Sequence, residues 1–322
     1  MVEVIPDSSK THWVNRTPLS VRRYLQLSRL DRPVGYWLLA LPGWIGLAFA
    51  GLSHGLGWTD LTWAALILIG AIAMRGAGCT YNDIVDQDLD AQVARTALRP
   101  LPAGTVTTRQ AWTWAFAQIG VGFLVWLCLP WLAKAIALLA LPLVAAYPFM
   151  KRITWFPQVW LGLTFNWAVL VAYAAKTGEV SAPLFILYIG LMFWTVGYDT
   201  IYACQDIEDD AMVGIKSTAR RFGEWRFLIV CIIYLVSLVL IIFSTVPTLI
   251  ATSTLGNLSD RLVFTAIMLP FGVHLIEQVK RWHKADGGSQ ESTVALKLFK
   301  SNFWAGVLLI GSMLLLRIYL QI

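Results

Sequence analysis

Long apolar segments alternate with short polar connections along almost the whole chain. We predict nine such segments, most of which reach the roughly 20 residues that a helix needs to cross a ~30 Å hydrocarbon core. A tight turn at Cys128–Pro130 separates the third segment from the fourth. The pattern predicts an all-α integral membrane protein with about nine transmembrane helices. The predicted segments are 33–53, 61–81, 110–128, 131–149, 157–175, 183–204, 227–247, 261–279 and 301–320.

The chain before the first apolar segment has a different pattern. Residues 18–32 intersperse leucines and Tyr24 with four arginines. This arrangement is typical of a helix that lies on the membrane surface. We therefore predict a polar N-terminal tail and an interfacial helix over 1–32, followed by a single transmembrane domain over 33–322.

Composition and charge agree with a membrane protein and exclude one other class. The chain is 57% hydrophobic and 14% charged, whereas soluble domains carry about 25% charged residues. Its net charge of +6 could indicate nucleic-acid binding. However, most lysines and arginines fall in the N-terminal tail and in alternate loops, as the positive-inside rule expects of cytoplasmic segments. The basic excess is therefore topological, and the predicted partner is a lipid bilayer, not a nucleic acid.

The run YNDIVDQDLDAQVARTALRPLP at 81–102 is the first candidate site. If the preceding helix continues, Asn82, Asp86 and Asp90 lie at i, i+4 and i+8 on one helix face, with Asp83 beside them. Carboxylates one turn apart repel, so a cation must neutralise them. Oxygen ligands suit Mg²⁺, which proteins hold through one or two carboxylates together with substrate phosphates. The run predicts a magnesium-diphosphate site at the mouth of a membrane helix.

A second run, at 198–223, repeats this arrangement. Asp206 and Asp210 lie at i and i+4, Lys216 follows them, and Asp199 precedes Asp206 by two helical turns. One acidic run can be a solvated helix end, but two matching runs on the same side of a membrane favour a binding site. We predict Asp206 and Asp210 as further metal ligands and Lys216 as a cation near a phosphate.

Three other positions carry candidate chemistry near these runs. Arg75 lies within a predicted span, where an ionisable side chain is costly. It either holds a diphosphate oxygen or pairs with a carboxylate of the first run. Tyr198 and Tyr202 form a neighbouring row that either contacts substrate or packs in the core.

Lys151 and Arg152 form a pair of cations between the fourth and fifth segments. Such a pair is often only topogenic. A guanidinium also matches a carboxylate through two parallel hydrogen bonds. The aromatic residues around the pair would suit an aromatic co-substrate, so an anion clamp is the favoured interpretation.

These motifs resemble the signatures of one family. Asn82-Asp83-x-x-Asp86-x-x-x-Asp90 resembles the NDxxDxxxD signature of the UbiA superfamily of membrane prenyltransferases. The pattern YDxxYxxxDxxxD, which begins at Tyr198, resembles its second signature. Four further segments resemble the 4-hydroxybenzoate polyprenyltransferases of ubiquinone synthesis: Arg95-Thr96, Arg99–Pro102, Tyr147–Arg152 and Lys216–Thr218. The segments GYDTIYACQDIEDD and TFNWAVL resemble the bacterial members of this branch.

The resemblance implies a fold and a reaction. The fold is a helical bundle around a central cavity with a cytoplasmic cap, in a bacterial inner membrane, with the N-terminus and the active-site mouth cytoplasmic. Mg²⁺ bridges both acidic motifs to a polyprenyl diphosphate, and the prenyl group passes to 4-hydroxybenzoate. Arg152 anchors the carboxylate of 4-hydroxybenzoate, and Asp199 or Asp206 takes the ring proton.

Two alternatives remain open from the sequence. The acceptor could be homogentisate, a naphthoate or another quinone precursor. The protein could instead be a cation-coupled transporter with intramembrane carboxylates. Transporters typically place such sites at mid-bilayer between inverted repeats, whereas these clusters lie at segment ends and repeat without inversion.

Overall fold

The computed structural model describes residues 11–92, 96–207, 211–212, 214–251, 258–288 and 291–319, and within these ranges all regular structure is helical. The helices are α1 (Leu19–Leu27), α2 (Val34–His54), α3 (Trp58–Val85), α4 (Gln87–Asp90), α5 (Thr108–Cys128), α6 (Trp131–Leu139), α7 (Leu141–Ile153), α8 (Pro157–Thr177), α9 (Ala182–Ala203), α10 (Thr218–Phe222), α11 (Arg226–Ala251), α12 (Leu258–Ala285) and α13 (Glu291–Tyr319). Short 3₁₀ turns lie at Trp13–Arg16, Cys204–Asp206 and Gly223–Trp225.

The predicted number of membrane segments is confirmed. Within the described ranges, nine helical stretches are long and apolar enough to cross a membrane. The predicted turn at Cys128–Pro130 is present, because α5 ends at Cys128 and Pro130 precedes the first residue of α6. The fourth stretch consists of α6 and α7, which meet at Ala140. Pro142 lies in the first turn of α7, where its missing N–H costs little.

Three predicted boundaries differ from the structure by five residues or more. Helix α13 begins at Glu291, ten residues before the predicted start of the ninth segment, and α12 continues to Ala285. The lysines in these extensions have long side chains that reach polar surroundings from a helix, so they do not end it. Helix α1 ends at Leu27, earlier than predicted, because Arg29 adopts a left-handed backbone conformation with φ 57°.

The chain forms two compact units. The first comprises Met1–Leu39 and Leu68–Cys128. Its core contains Leu27 of α1, Leu101 and Val106 of the connection between α4 and α5, and Ala111 of α5. Ile84, at the end of α3, packs against this core. The first acidic run is therefore held at a packed junction of α3 with the segments that follow it.

The second unit comprises Ala40–Ile67 and Leu129–Ile322, and α9 lies at its centre. Helix α9 packs against α8, α11 and α13 and buries Trp194 almost completely. At Gly197, an added Cβ would lie 2.2 Å from the Tyr234 ring, so the close approach of α9 to α11 requires glycine. The second acidic motif thus begins on a buried, tightly packed helix. The single domain predicted for 33–322 stays a prediction.

Candidate active site

The first acidic run lies where α3 ends. Asp86 has φ −101° and ψ 9°, which interrupts the helix before α4 resumes it. The hydrogen bonds from Asp86 N to Asn82 O, at 2.9 Å, and from Asp90 N to Asp86 O, at 2.8 Å, nevertheless keep the helical i to i−4 pairing. The predicted i, i+4, i+8 spacing of Asn82, Asp86 and Asp90 is therefore retained across a local break. The sequence pattern did not predict the break itself.

Three carboxylates of this run are buried, and two arginines pair with two of them. Asp83 and Asp86 are fully buried, and Asp90 is 7% exposed. Arg29 Nη2 donates to Asp83 Oδ1 at 2.6 Å. Arg99 Nη1 donates to Asp90 Oδ2 at 2.6 Å and lies 3.3 Å from Asp83 Oδ1. Asp83 thus joins the two arginines and links the segment after α1, the end of α3 and the loop after α4.

Arg29 reaches Asp83 from a strained backbone position. Within the described part of the chain it is the one non-glycine residue with positive φ. Burial lowers the pKa of the Arg29 guanidinium, but the negative charges of Asp83, Asp90 and Asp31 outweigh this and raise the pKa above its usual value. The group is therefore a permanent cation beside the acidic run. Backbone strain of this kind, held by a buried ion pair, is common at functional sites.

Arg75 lies on α3, seven residues before Asn82. Its guanidinium packs against the backbone of Gly35 in α2, because a Cβ added at Gly35 would lie 2.7 Å from Arg75 Nε and 3.1 Å from Nη2. The guanidinium can therefore lie against α2 only because position 35 has no side chain. The sequence contains no signal for this pairing, because the two residues are 40 positions apart.

The donor atoms of the first run suit a hard cation. Among the described residues, the buried Asp83 Oδ2 has no hydrogen-bond partner, so an oxygen acceptor is available beside the two arginines. No group of three or more His, Cys, Asp or Glu side chains within the described ranges is close enough to hold a metal. The Asp206 side chain and the whole of Asp210 lie outside those ranges. Carboxylate and amide oxygens of this kind bind divalent cations together with substrate phosphates.

The tyrosines of the second motif lie in an aromatic cluster. Tyr198 is 2% exposed and makes edge contacts with Trp194 and Phe299, with ring centroids 5.5 and 5.8 Å apart. The Tyr202 ring is 4.3 Å from that of Phe299. These ring contacts are packing contacts, and the predicted substrate contact of the two tyrosines stays a prediction. Asp199, between these tyrosines, is half-buried.

The loop after the second motif joins the predicted cation pair. The Lys216 backbone N–H donates to Lys151 O at 3.0 Å, and Lys216 Nζ donates to Ile153 O at 3.2 Å. Arg152 is exposed at the end of α7. The Arg220 guanidinium lies 5.4 Å from the ring centre of Trp155. The structure therefore brings Lys151 and Lys216, which the sequence placed in separate motifs, to the same edge of the second unit.

A buried polar network fastens this loop to its unit. Gln158 Oε1, at the start of α8, accepts from the Thr218 N–H at 3.1 Å. The hydroxyls of Thr200 and Thr218 are 2.7 Å apart. Gln158 is not among the residues that the sequence motifs predicted for the site. A glutamine in the first turn of an apolar helix is the only signal that could have indicated it.

Curated relatives align with most of this chain. It is 50% identical over 204 residues to the mitochondrial 4-hydroxybenzoate polyprenyltransferase of Aedes aegypti, which covers 62% of the chain and 45% of the relative. It is 39% identical over 293 residues to the mitochondrial 4-hydroxybenzoate polyprenyltransferase of Drosophila pseudoobscura pseudoobscura, which covers 90% and 69%. The chain spans about half the length of several of the curated relatives it matches.

A solved structure shares the fold. A UbiA homolog from Archaeoglobus fulgidus bound to DMAPP and Mg²⁺ matches with a TM-score of 0.67 and 19% identity, and covers 91% of this chain and 98% of that chain. At this identity the likeness shows the fold alone. It confirms the predicted all-helical membrane architecture, while the predicted cytoplasmic cap stays a prediction.

The predicted location is wrong, and the family is confirmed. The matched relatives named above are mitochondrial enzymes of insects, which overturns the assignment to a bacterial inner membrane. A multi-pass membrane protein remains supported. The model of the UbiA prenyltransferase family matches residues 39–306, which is most of the chain and includes both acidic motifs. The chain therefore belongs to the UbiA prenyltransferase family.

Proposed function

We propose that this chain transfers a polyprenyl group from polyprenyl diphosphate to the ring carbon ortho to the hydroxyl of 4-hydroxybenzoate, with Mg²⁺ as cofactor, in ubiquinone biosynthesis. Family membership and the activity named for the relatives support the reaction class and the acceptor. The observation that carries the proposal is the buried acidic run at the end of α3, held by Arg29 and Arg99. Buried carboxylates at a membrane-helix end need a cation, and a diphosphate bound there would share it.

The proposed metal ligands come from both motifs. Asn82, Asp83, Asp86 and Asp90 supply oxygens from the first motif, and Asp206 and Asp210 supply them from the second. Pairing the two motifs in one site rests on the family's signatures. A bound Mg²⁺ would neutralise the charge that builds on the departing diphosphate. Asp83 has a further role in this proposal, because its other oxygen fixes the two arginines.

Two cations of the chain would bind the diphosphate. Arg75 offers a planar guanidinium whose place is set by Gly35. Lys216 lies on a loop that is fixed to the end of α7. These fixed charges would stabilise the diphosphate as the C1–O bond breaks and its electron pair passes to the leaving oxygen. Because water would quench the resulting allylic cation, the surrounding helices must also keep the reacting carbon dry.

The acceptor would bind beside the end of α7. Arg152 is proposed to hold the carboxylate of 4-hydroxybenzoate, with Lys151 as a second cation. Trp155, with Arg220 against it, provides an aromatic surface next to this pair. The ring carbon then attacks C1 of the prenyl group, and Asp199 or Asp206 accepts the proton that the ring loses. Tyr198 and Tyr202, which pack on Phe299, are proposed to contact the substrate near Asp199.

The acceptor assignment can be tested directly. Purified protein in liposomes would be given geranyl diphosphate, Mg²⁺ and labelled 4-hydroxybenzoate, with homogentisate as an unlabelled competitor. We expect prenylated 4-hydroxybenzoate to form and homogentisate to compete weakly. Formation of prenylated homogentisate with no product from 4-hydroxybenzoate would keep the family and overturn the acceptor. Absence of product with every acceptor and with longer donors would overturn the reaction.

A further inference from the structure

A cleft of about 360 Å³ opens between α12 and α13, within the second unit and away from both acidic motifs in the sequence. Its lining includes three cationic side chains, Arg281, Lys284 and Lys297. Among the described residues that line it, Glu277 is the one carboxylate. The lining therefore carries a positive surplus that is complementary to an anion.

The polar floor of this cleft is built and rigid. Gln278 is 2% exposed, and its amide nitrogen donates to Ser301 Oγ at 2.9 Å and to Leu298 O at 3.3 Å. Its amide oxygen accepts from Tyr234 OH at 2.7 Å. His274 Nε2 lies 3.2 Å from Ser301 Oγ. A buried network of this kind fixes α12 against α13, so the basic side chains above it project from a stable frame.

On the cleft side of both helices, basic residues are followed by polar residues and then by apolar residues. On α13, Lys297, Ser301, Trp304 and Leu308 follow at intervals of four, three and four residues, which places them on one side of the helix. Trp304 is 62% exposed and Leu308 is 37% exposed. The order is that of a phospholipid, whose charged head group, polar glycerol region and acyl chains succeed one another with depth.

Helix α12 shows the same order from its other end. Lys284 and Arg281 lie in its last turns, and His274 lies seven residues before Arg281. Pro270, one turn beyond His274 on the same side of the helix, is exposed. Both helices belong to stretches that are apolar enough to cross a membrane. A soluble anion would use only the basic rim, whereas a lipid would also cover these exposed apolar side chains.

We propose that this cleft binds the head group of an anionic phospholipid, with the acyl chains lying along the exposed apolar residues of α12 and α13. Basic pockets between transmembrane helices are known to bind such head groups. The phosphate contacts Arg281 and Lys297, and Lys284 lies at the rim. The proposal concerns a lipid site separate from the catalytic one and does not depend on the substrate of the enzyme.

The test is a lipid titration of the full-length protein in detergent, followed by native mass spectrometry. Phosphatidylglycerol and phosphatidylcholine with identical acyl chains are compared, and inorganic phosphate and glycerol 3-phosphate serve as soluble probes. We expect each protein to bind one phosphatidylglycerol molecule, and to bind it more tightly than phosphatidylcholine. Equal binding of the two lipids would overturn the site. Soluble phosphates that displace phosphatidylglycerol at equal concentration would identify a free-anion site and overturn the lipid.

Matched variants separate the cleft from general surface charge. Each basic residue near a membrane surface contributes about a fivefold change in affinity for an anionic lipid. Arg281→Gln with Lys297→Gln should therefore weaken phosphatidylglycerol binding about 25-fold. Arg221→Gln with Lys300→Gln removes the same charge from exposed residues outside the cleft lining and should change binding little. An equal loss in both double variants would overturn the proposal.

A third variant tests whether removing a negative charge from the cleft strengthens lipid binding. Glu277→Gln removes the carboxylate from the cleft lining and should tighten phosphatidylglycerol binding about fivefold. The melting temperature of every variant in lipid-free detergent checks that it is folded. Weaker binding by a folded Glu277→Gln variant would contradict an anion-binding cleft.

Discussion

Arg29 donates a hydrogen bond at 2.6 Å to the fully buried carboxylate of Asp83, 54 residues later in the chain. Arg99 approaches the same oxygen at 3.3 Å and holds Asp90 at 2.6 Å. These contacts tie the first acidic run to the segments on either side of it. The proposed metal site therefore depends on an ion-pair network as well as on its ligands.

Replacing Asp83 tests this network. Asp83→Asn would leave two mostly buried arginines short of a negative partner, and breaking a buried pair costs about 3–5 kcal/mol. We expect a loss of that size in the free energy of unfolding, measured by denaturant titration in detergent. Asp88→Asn, at an exposed position of the same run, should change stability by less than about 0.5 kcal/mol. If the two variants are equally stable, the ion pairs of Asp83 do not stabilise the fold.

Arg29 allows backbone strain to be separated from the ion pair. Arg29→Ala and Arg29→Gly both lose the contact with Asp83, but glycine adopts φ 57° without a steric penalty. The glycine variant should therefore be about 1 kcal/mol more stable than the alanine variant. Denaturant unfolding of the pair measures this difference directly. A glycine variant that is less stable than the alanine variant would show that position 29 is not strained.

Gly35 is predicted to set the place of Arg75. Gly35→Ala would bring a methyl group within 2.7 Å of Arg75 Nε and push the guanidinium aside. Loss of one charge-assisted contact would raise KM for the prenyl diphosphate about tenfold. Gly120→Ala, where no atom lies within 4 Å of the added methyl, is the control. If Arg75→Ala raises KM and Gly35→Ala does not, Gly35 has no positioning role.

Arg152 is predicted to recognise the acceptor. Hydrogen bonds to charged groups contribute about 1.5–3 kcal/mol, so Arg152→Ala should raise KM for 4-hydroxybenzoate at least about tenfold. KM for the prenyl diphosphate should stay close to the wild-type value. Arg221→Ala, an exposed arginine on α10, removes the same charge elsewhere and should leave both constants unchanged. An unchanged KM for 4-hydroxybenzoate in the Arg152 variant would exclude the clamp.

Hydrophobic runs predicted most of the membrane architecture. The nine membrane stretches could be predicted from the length of the apolar segments and their alternation with polar connections. The position of Pro130 predicted the turn before Trp131. Boundaries failed where charged residues occur inside helices, as at Lys297 and Lys300. Their side chains are long enough to reach polar surroundings, so hydropathy ends a helix too early there.

The candidate site was predictable in its motifs and not in its contacts. The spacing of Asn82, Asp86 and Asp90 follows from helical periodicity and persists across the break at Asp86. The pairing of Arg29 with Asp83 depends on tertiary packing, as does the fastening of Thr218 by Gln158. No local pattern encodes contacts between residues more than 50 positions apart. Tyr198 and Tyr202 illustrate the same limit, since their partner Phe299 lies about 100 residues away.

The most direct test of the account is metal-dependent product formation by the purified full-length protein. Wild type and Asp86→Ala would be assayed with geranyl diphosphate and labelled 4-hydroxybenzoate, first with EDTA and then after addition of excess Mg²⁺. We predict that EDTA abolishes product, that Mg²⁺ restores it in wild type, and that folded Asp86→Ala stays at least about 100-fold less active. Undiminished product in EDTA, or near-normal turnover by Asp86→Ala, would contradict a metal site built on the acidic run.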